Sequence, residues 1–132
     1  MSEVDLLLQK AQRKLNTAKK LLELGEHEDT VSRAYYSIFH AAKAALATQK
    51  SFPKTHEGTI REFGQKIIKE KGLPRELGTI FSQARSLRET ADYTLTPTIG
   101  PEDAKWAVKA AEHFLKQITE HLKKATLKKQ KN

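Results

Sequence analysis

No cysteine occurs among the 132 residues, which excludes disulfides, thiolate chemistry and every cysteine-based zinc or iron–sulfur site. Six glycines and four prolines are too few to punctuate a fold of many short strands. No apolar run approaches the roughly 20 residues of a membrane-spanning helix. The opening MSEVDLLLQK lacks the basic and apolar regions of a signal peptide. Phosphate-loop, dinucleotide-glycine, HExxH and G-x-S-x-G patterns are also missing, which excludes several large enzyme classes. The five histidines, His27, His40, His56, His113 and His121, never stand three or four residues apart, so no local metal site is expected. No cofactor is expected either. These absences describe a soluble, cytoplasmic chain with no membrane association, one domain over residues 1–132.

What is present is helical throughout. Val4, Leu8, Ala11, Leu15, Ala18 and Leu22 recur at alternating steps of four and three, behind a Ser2/Asp5 capping signal, and Gly25 stops the run. A second helix is predicted over about 27–48, with Val31, Tyr35, Ile38, Ala42, Ala45 and Leu46 inside. Thr55 can cap a third, shorter one carrying Ile60, Phe63 and Ile67 and ended by Gly72. Pro74 fits the first turn of a fourth, striped by Leu77, Ile80, Phe81, Ala84, Leu87 and Ala91. After the longest loop, 93–100, Pro101, Glu102 and Asp103 open the last helix. Four long amphipathic helices and one shorter one predict an all-α, antiparallel up-and-down bundle. Ala41, Ala42, Ala44, Ala45 and Ala47 would allow close helix approach, inside the bundle or between two chains. Trp106, beside the main stripe, fits a bundle edge or a subunit contact.

Net charge is +8 at neutral pH, but the lysine-rich end at about 123–132 accounts for much of it; the 120 residues before His121 carry +3. That end reads as a solvated helix terminus, with a basic arm for nucleic acid as the alternative. The chemically informative stretch is SRAYYSIFH, residues 32–40. Arg33 and His40 are seven residues apart, so they fall within about 20° on the helix surface and roughly 10 Å apart along it. Tyr36 and Ser37 lie between them. A guanidinium is a permanent fork of donors suited to phosphate, and an imidazole exchanges protons near neutrality. Together they could hold and cleave a phosphodiester. Tyr35 and Tyr36 fit packing between helices or contact with nucleic acid. His56 reads as a first-turn surface residue, with a second catalytic base as the alternative. Arg88 and Asp92, four apart, can form an ion pair.

The run Ser32 to Leu46, SRAYYSIFHAAKAAL, resembles the second helix of the HEPN (higher eukaryotes and prokaryotes nucleotide-binding) superfamily. Two further stretches resemble its small prokaryotic branch: KTHEG at 54–58 and LRETADY at 87–93. The resemblance covers about Val4 to Leu122. It implies a bundle of four or five helices that forms a homodimer and is frequently partnered by a minimal nucleotidyltransferase, the two acting as toxin and antitoxin. Its signature is an arginine, four to six residues, then a histidine, matched by Arg33 and His40. In active members the pair is a metal-independent endoribonuclease site at the dimer interface. His40 would move protons and Arg33 would stabilise the phosphorane, with Tyr36, Ser37, Arg88 and Asp92 as supporting groove residues. Active members commonly carry a polar residue after the arginine, where this chain has Ala34. Members modified by their antitoxin carry a tyrosine two positions after the histidine, where this chain has Ala42. The alternative implied is a non-catalytic module that binds nucleotide or RNA and partners the nucleotidyltransferase.

Overall fold

The side-chain hydroxyl of Ser2 accepts a hydrogen bond from the Asp5 N–H at 3.1 Å, and helix α1 (Glu3–Glu23) starts there. It ends as its glycine predicts. Gly25 adopts φ 76°, its N–H donates to Leu22 O and the Glu26 N–H to Leu21 O, which satisfies two carbonyls of the last turn. The computed structural model describes residues 1–131, with side chains to 126. Asn132 and the side chains of 127–131, within the lysine-rich end, lie outside the described residues.

Helix α2 (His27–Thr48) occupies the bounds read from sequence and ends on the same bond pattern as α1. Lys50, however, takes the left-handed position at φ 56°, a conformation that favours glycine. Helix α3 (His56–Glu62) is capped by Thr55, whose hydroxyl accepts from the Gly58 N–H at 2.9 Å. A Cβ on Gly58 would stand 2.8 Å from that same hydroxyl oxygen, so glycine keeps the cap intact. From Phe63 to Glu70 the chain continues as a π-helical segment rather than a regular α-helix. The Phe63/Ile67 spacing does not distinguish the two, because a step of four residues is close to one turn in either. Helix α4 (Arg75–Tyr93) begins one residue after Pro74, which stands at the N-cap with ψ 135° rather than inside the first turn. Helix α5 (Pro101–Lys131) completes the all-helical bundle.

Helix α2 is the axis of the structure, packed on α1 most extensively and then on α5 and α4. The reason is its composition. Ala34, Ala41, Ala42, Ala44 and Ala45 are all fully buried, and Ala11, Ala18, Ala107 and Ala111 of α1 and α5 belong to the same core cluster as Ala34, Ala41, Ala42 and Ala45. Small side chains let backbones approach so closely that the Ser37 hydroxyl on α2 donates to the Ala11 carbonyl on α1 at 2.9 Å. Ala41, Ala42, Ala44 and Ala45 of the alanine row are therefore used inside the protomer, and Ala47 at its end is half-buried. Phe63, Phe81 and Phe114 join the π segment, α4 and α5 in a ring cluster with centroids 5.2–6.0 Å apart. Trp106 is half-buried at the α4–α5 edge, beside Leu87 and Thr90.

Candidate nucleic-acid groove

The strip of α2 left uncovered runs between α1 on one side and α3 and α4 on the other. Arg33 is exposed there, Tyr36, Phe39 and Lys43 are half-buried, and His40 is 9% exposed. Ser37 does not belong to this strip, since its hydroxyl is buried against α1. Ala34 and Ala42 also point into the core, so neither departure from the family pattern faces the strip.

His40 sits in a positive surrounding. Its Nδ1 is buried without a hydrogen-bond partner. Burial, followed by Lys10, Lys43, Lys14 and Arg13, pushes its pKa down to about 4. Lys10, Arg13 and Lys14 come from α1. The Lys14 ammonium is itself lowered from its ordinary value by burial and then by Arg33, Lys10 and Arg13. Among the described residues, none of Lys10, Arg13, Lys14, Arg33 and Lys43 has an acidic partner within ion-pair distance. Five neighbouring cations without counter-charges repel one another, and a polyanion laid along them relieves that repulsion.

The other wall carries aromatic and guanidinium groups. The Arg88 guanidinium lies 5.1 Å from the Tyr36 ring centroid and 5.6 Å from that of Tyr35. Its Nε is 3.0 Å from Asp92 Oδ2, and Ser32 Oγ reaches Asp92 Oδ1 at 3.5 Å. Tyr36 links the two walls, with its ring centroid 6.1 Å from that of His40 and 6.0 Å from that of His56. His56 stacks on Phe39 at 4.5 Å, and its Nδ1 is 2.6 Å from the Tyr35 hydroxyl. His56, read from the sequence as a first-turn surface residue with a second catalytic base as the alternative, is half-buried. The signal that could have placed it is the Thr-His-Glu-Gly order at 55–58, because the Thr55 cap and the compact Gly58 fix where α3 starts. Among the described residues no three His, Asp or Glu side chains come together as metal ligands. A cavity of about 960 Å³ lies elsewhere, at the helix ends around Leu8, Thr48 and Leu122, and holds none of these residues.

His40 also links the groove to stability. Between its ordinary value of 6.5 and about 4, the unfolded chain takes up a proton that the folded chain refuses. Its contribution is full above pH 6.5 and is lost as the pH falls toward 4. The loss amounts to about 3 kcal/mol. Urea unfolding at pH 7 and pH 4.5 should show His40→Gln losing less stability than the wild type over that interval; equal losses would contradict the burial assigned to His40.

The chain is similar to known proteins over nearly its whole length. The HEPN domain family matches residues 4–122. A protein of Methanocaldococcus jannaschii named "Putative toxin" is 39% identical over 121 residues, covering 92% of this chain and 90% of its own. A second protein of that organism with the same name is 33% identical over 120 residues, covering 91% and 82%. A UPF0332 protein of Archaeoglobus fulgidus is 37% identical over 117 residues, covering 89% and 93%. A crystal structure of a Thermus thermophilus protein shares the fold, with a TM-score of 0.72 at 16% identity over 91% of this chain and 98% of that one.

Proposed function

The chain belongs to the HEPN domain family, and from that premise we propose that it is a metal-independent endoribonuclease, the toxin of a pair with a minimal nucleotidyltransferase. The toxin names of its archaeal relatives support the biological half of this reading. The observation that carries the chemical half is His40: nearly buried, neutral at physiological pH, and ringed by Lys10, Arg13, Lys14 and Lys43. An RNA phosphate entering the groove offsets those cations, which raises the basicity of the imidazole where a proton must be taken. His40 then accepts the proton of the ribose 2′-hydroxyl, the 2′-oxygen bonds to the adjacent phosphorus, and the 5′-oxygen leaves with a proton supplied from the site or from water. Arg33 holds the non-bridging oxygens as charge builds on them. The products are a 2′,3′-cyclic phosphate and a 5′-hydroxyl. Incubation of purified protein with single-stranded RNA in EDTA, with end-group analysis, tests this directly.

One protomer contributes a single Arg33/His40 pair, so the reading includes a homodimer that brings two pairs to one cleft. With most of the alanine row buried, the contact uses the uncovered strip of α2 and its flanks. Light scattering at micromolar concentration should report twice the 14.9 kDa chain mass; a monomer would remove the composite cleft. The non-catalytic alternative predicts RNA bound intact.

A further inference from the structure

His56 has no part in the arginine–histidine signature, yet its setting is more constrained than that of a surface residue. The Tyr35 side chain is fully buried, and burial pushes its pKa up to about 12 against the opposing pull of Arg85 and Arg88. A buried phenol keeps its proton and must donate it to something. The partner present is His56 Nδ1, at 2.6 Å. The imidazole therefore accepts at Nδ1 and carries its own hydrogen on Nε2. The charged groups around it agree. Burial, Arg88, Arg85 on α4 and Lys43 on α2 all lower its pKa, against Glu89 alone, so the ring stays neutral. Phe39 stacked at 4.5 Å and Tyr36 edge-on at 6.0 Å fix the plane of the ring. The residue is half-buried, and Nδ1 is the ring nitrogen already engaged. A neutral imidazole with Nδ1 occupied has one thing to offer a ligand, a single aimed hydrogen-bond donor.

We propose that His56 is a phosphate-anchoring residue: its Nε2–H, oriented by the Tyr35 hydroxyl, donates to a phosphodiester oxygen of RNA on the α3–α4 side of the groove, one step away from the bond broken at His40. The proposal deepens the ribonuclease reading by adding a second contact point on the RNA backbone. Tyr35 is a positioning residue, acting only through the imidazole. Arg88, held over the two tyrosine rings and paired with Asp92, lies on the same side of the groove.

The test uses an uncleavable probe, a 2′-O-methyl oligoribonucleotide, so that binding is read apart from turnover. Fluorescence anisotropy at low salt should show His56→Leu weakening binding about tenfold or more, the loss expected for a hydrogen bond to a charged group. His56→Gln, which offers an amide N–H at a comparable reach, should bind within about threefold of the wild type, and its far-ultraviolet circular dichroism controls for folding. Long-range ¹H–¹⁵N spectra should show the Nε2–H tautomer in the wild type and a shift of that nitrogen on adding the probe. Tyr35→Phe should mix the tautomers and weaken binding, a change that a merely structural tyrosine would not produce. Wild-type affinity in His56→Leu, a Nδ1–H tautomer, an Nε2 signal unmoved by the probe, or no binding by the wild type would each overturn the proposal. Probe binding through His56 by a protein that leaves ordinary RNA intact would instead overturn the ribonuclease reading and leave this site standing.

Discussion

His40→Ala should lower the rate of RNA cleavage by about 10³-fold, within the range that a positioned proton-transfer group contributes. The expectation rests on there being one imidazole at the basic edge of the groove. Binding should change little, because the cations that attract RNA are untouched. The loss therefore falls on kcat rather than on KM, which separates a chemical role from a binding one. Arg33→Lys tests the other half of the pair. An ammonium keeps the charge but not the planar fork, so a fall of about 10²-fold in kcat is expected. Cleavage that persists in His40→Ala would remove the imidazole from the mechanism.

Phe63→Ala should cost about 3–5 kcal/mol in urea unfolding, the range for a large ring removed from a packed core. Phe63 is fully buried and meets Phe81 at 5.9 Å and Phe114 at 5.2 Å. It is the first residue of the π segment, so the cavity would open where that segment is held to α4 and α5. A loss of that size is a substantial share of the 5–15 kcal/mol typical of folded proteins. Because α3 leads directly into this segment, the start of α3, and with it His56, depends on the same ring cluster. A loss below about 1 kcal/mol would mean that the three rings are not packed together.

The helical architecture was legible because it rests on local rules. The Ser2 and Thr55 caps, the Gly25 stop and the bounds of α2 each follow from residues within a few positions of one another. The π segment was not legible, since Phe63 and Ile67 keep a spacing that both helix types satisfy. Periodicity on α2 puts Arg33, Tyr36 and His40 on one strip, but it also puts Ser37 there, which the packing does not. Ser37 falls within the angular range of the pair, yet α1 covers it, because Ala11 lets the backbones close to hydrogen-bond distance. The alanine row left two readings open, and only the packing of α1 and α5 decides between them. His56 was lost for the opposite reason. Its partners Tyr35 and Phe39 are 21 and 17 positions away in the sequence, and no helical period connects residues on different elements. The cations of α1 were likewise invisible as a group: Lys10, Arg13 and Lys14 look like an ordinary solvated face until α2 places His40 beside them.

The proposed reaction is cleavage of RNA in this groove through the 2′-hydroxyl, using side chains alone. The most direct measurement follows a single-stranded oligoribonucleotide, its all-DNA counterpart and a chain with one ribonucleotide in DNA, each incubated with purified protein in EDTA. Mass spectrometry of the products should find 2′,3′-cyclic phosphate and 5′-hydroxyl ends from the RNA, a single cut after the lone ribonucleotide, and intact DNA, which lacks the attacking hydroxyl. Cleavage abolished by EDTA, cleavage of the all-DNA chain, or RNA bound and left whole would contradict the account.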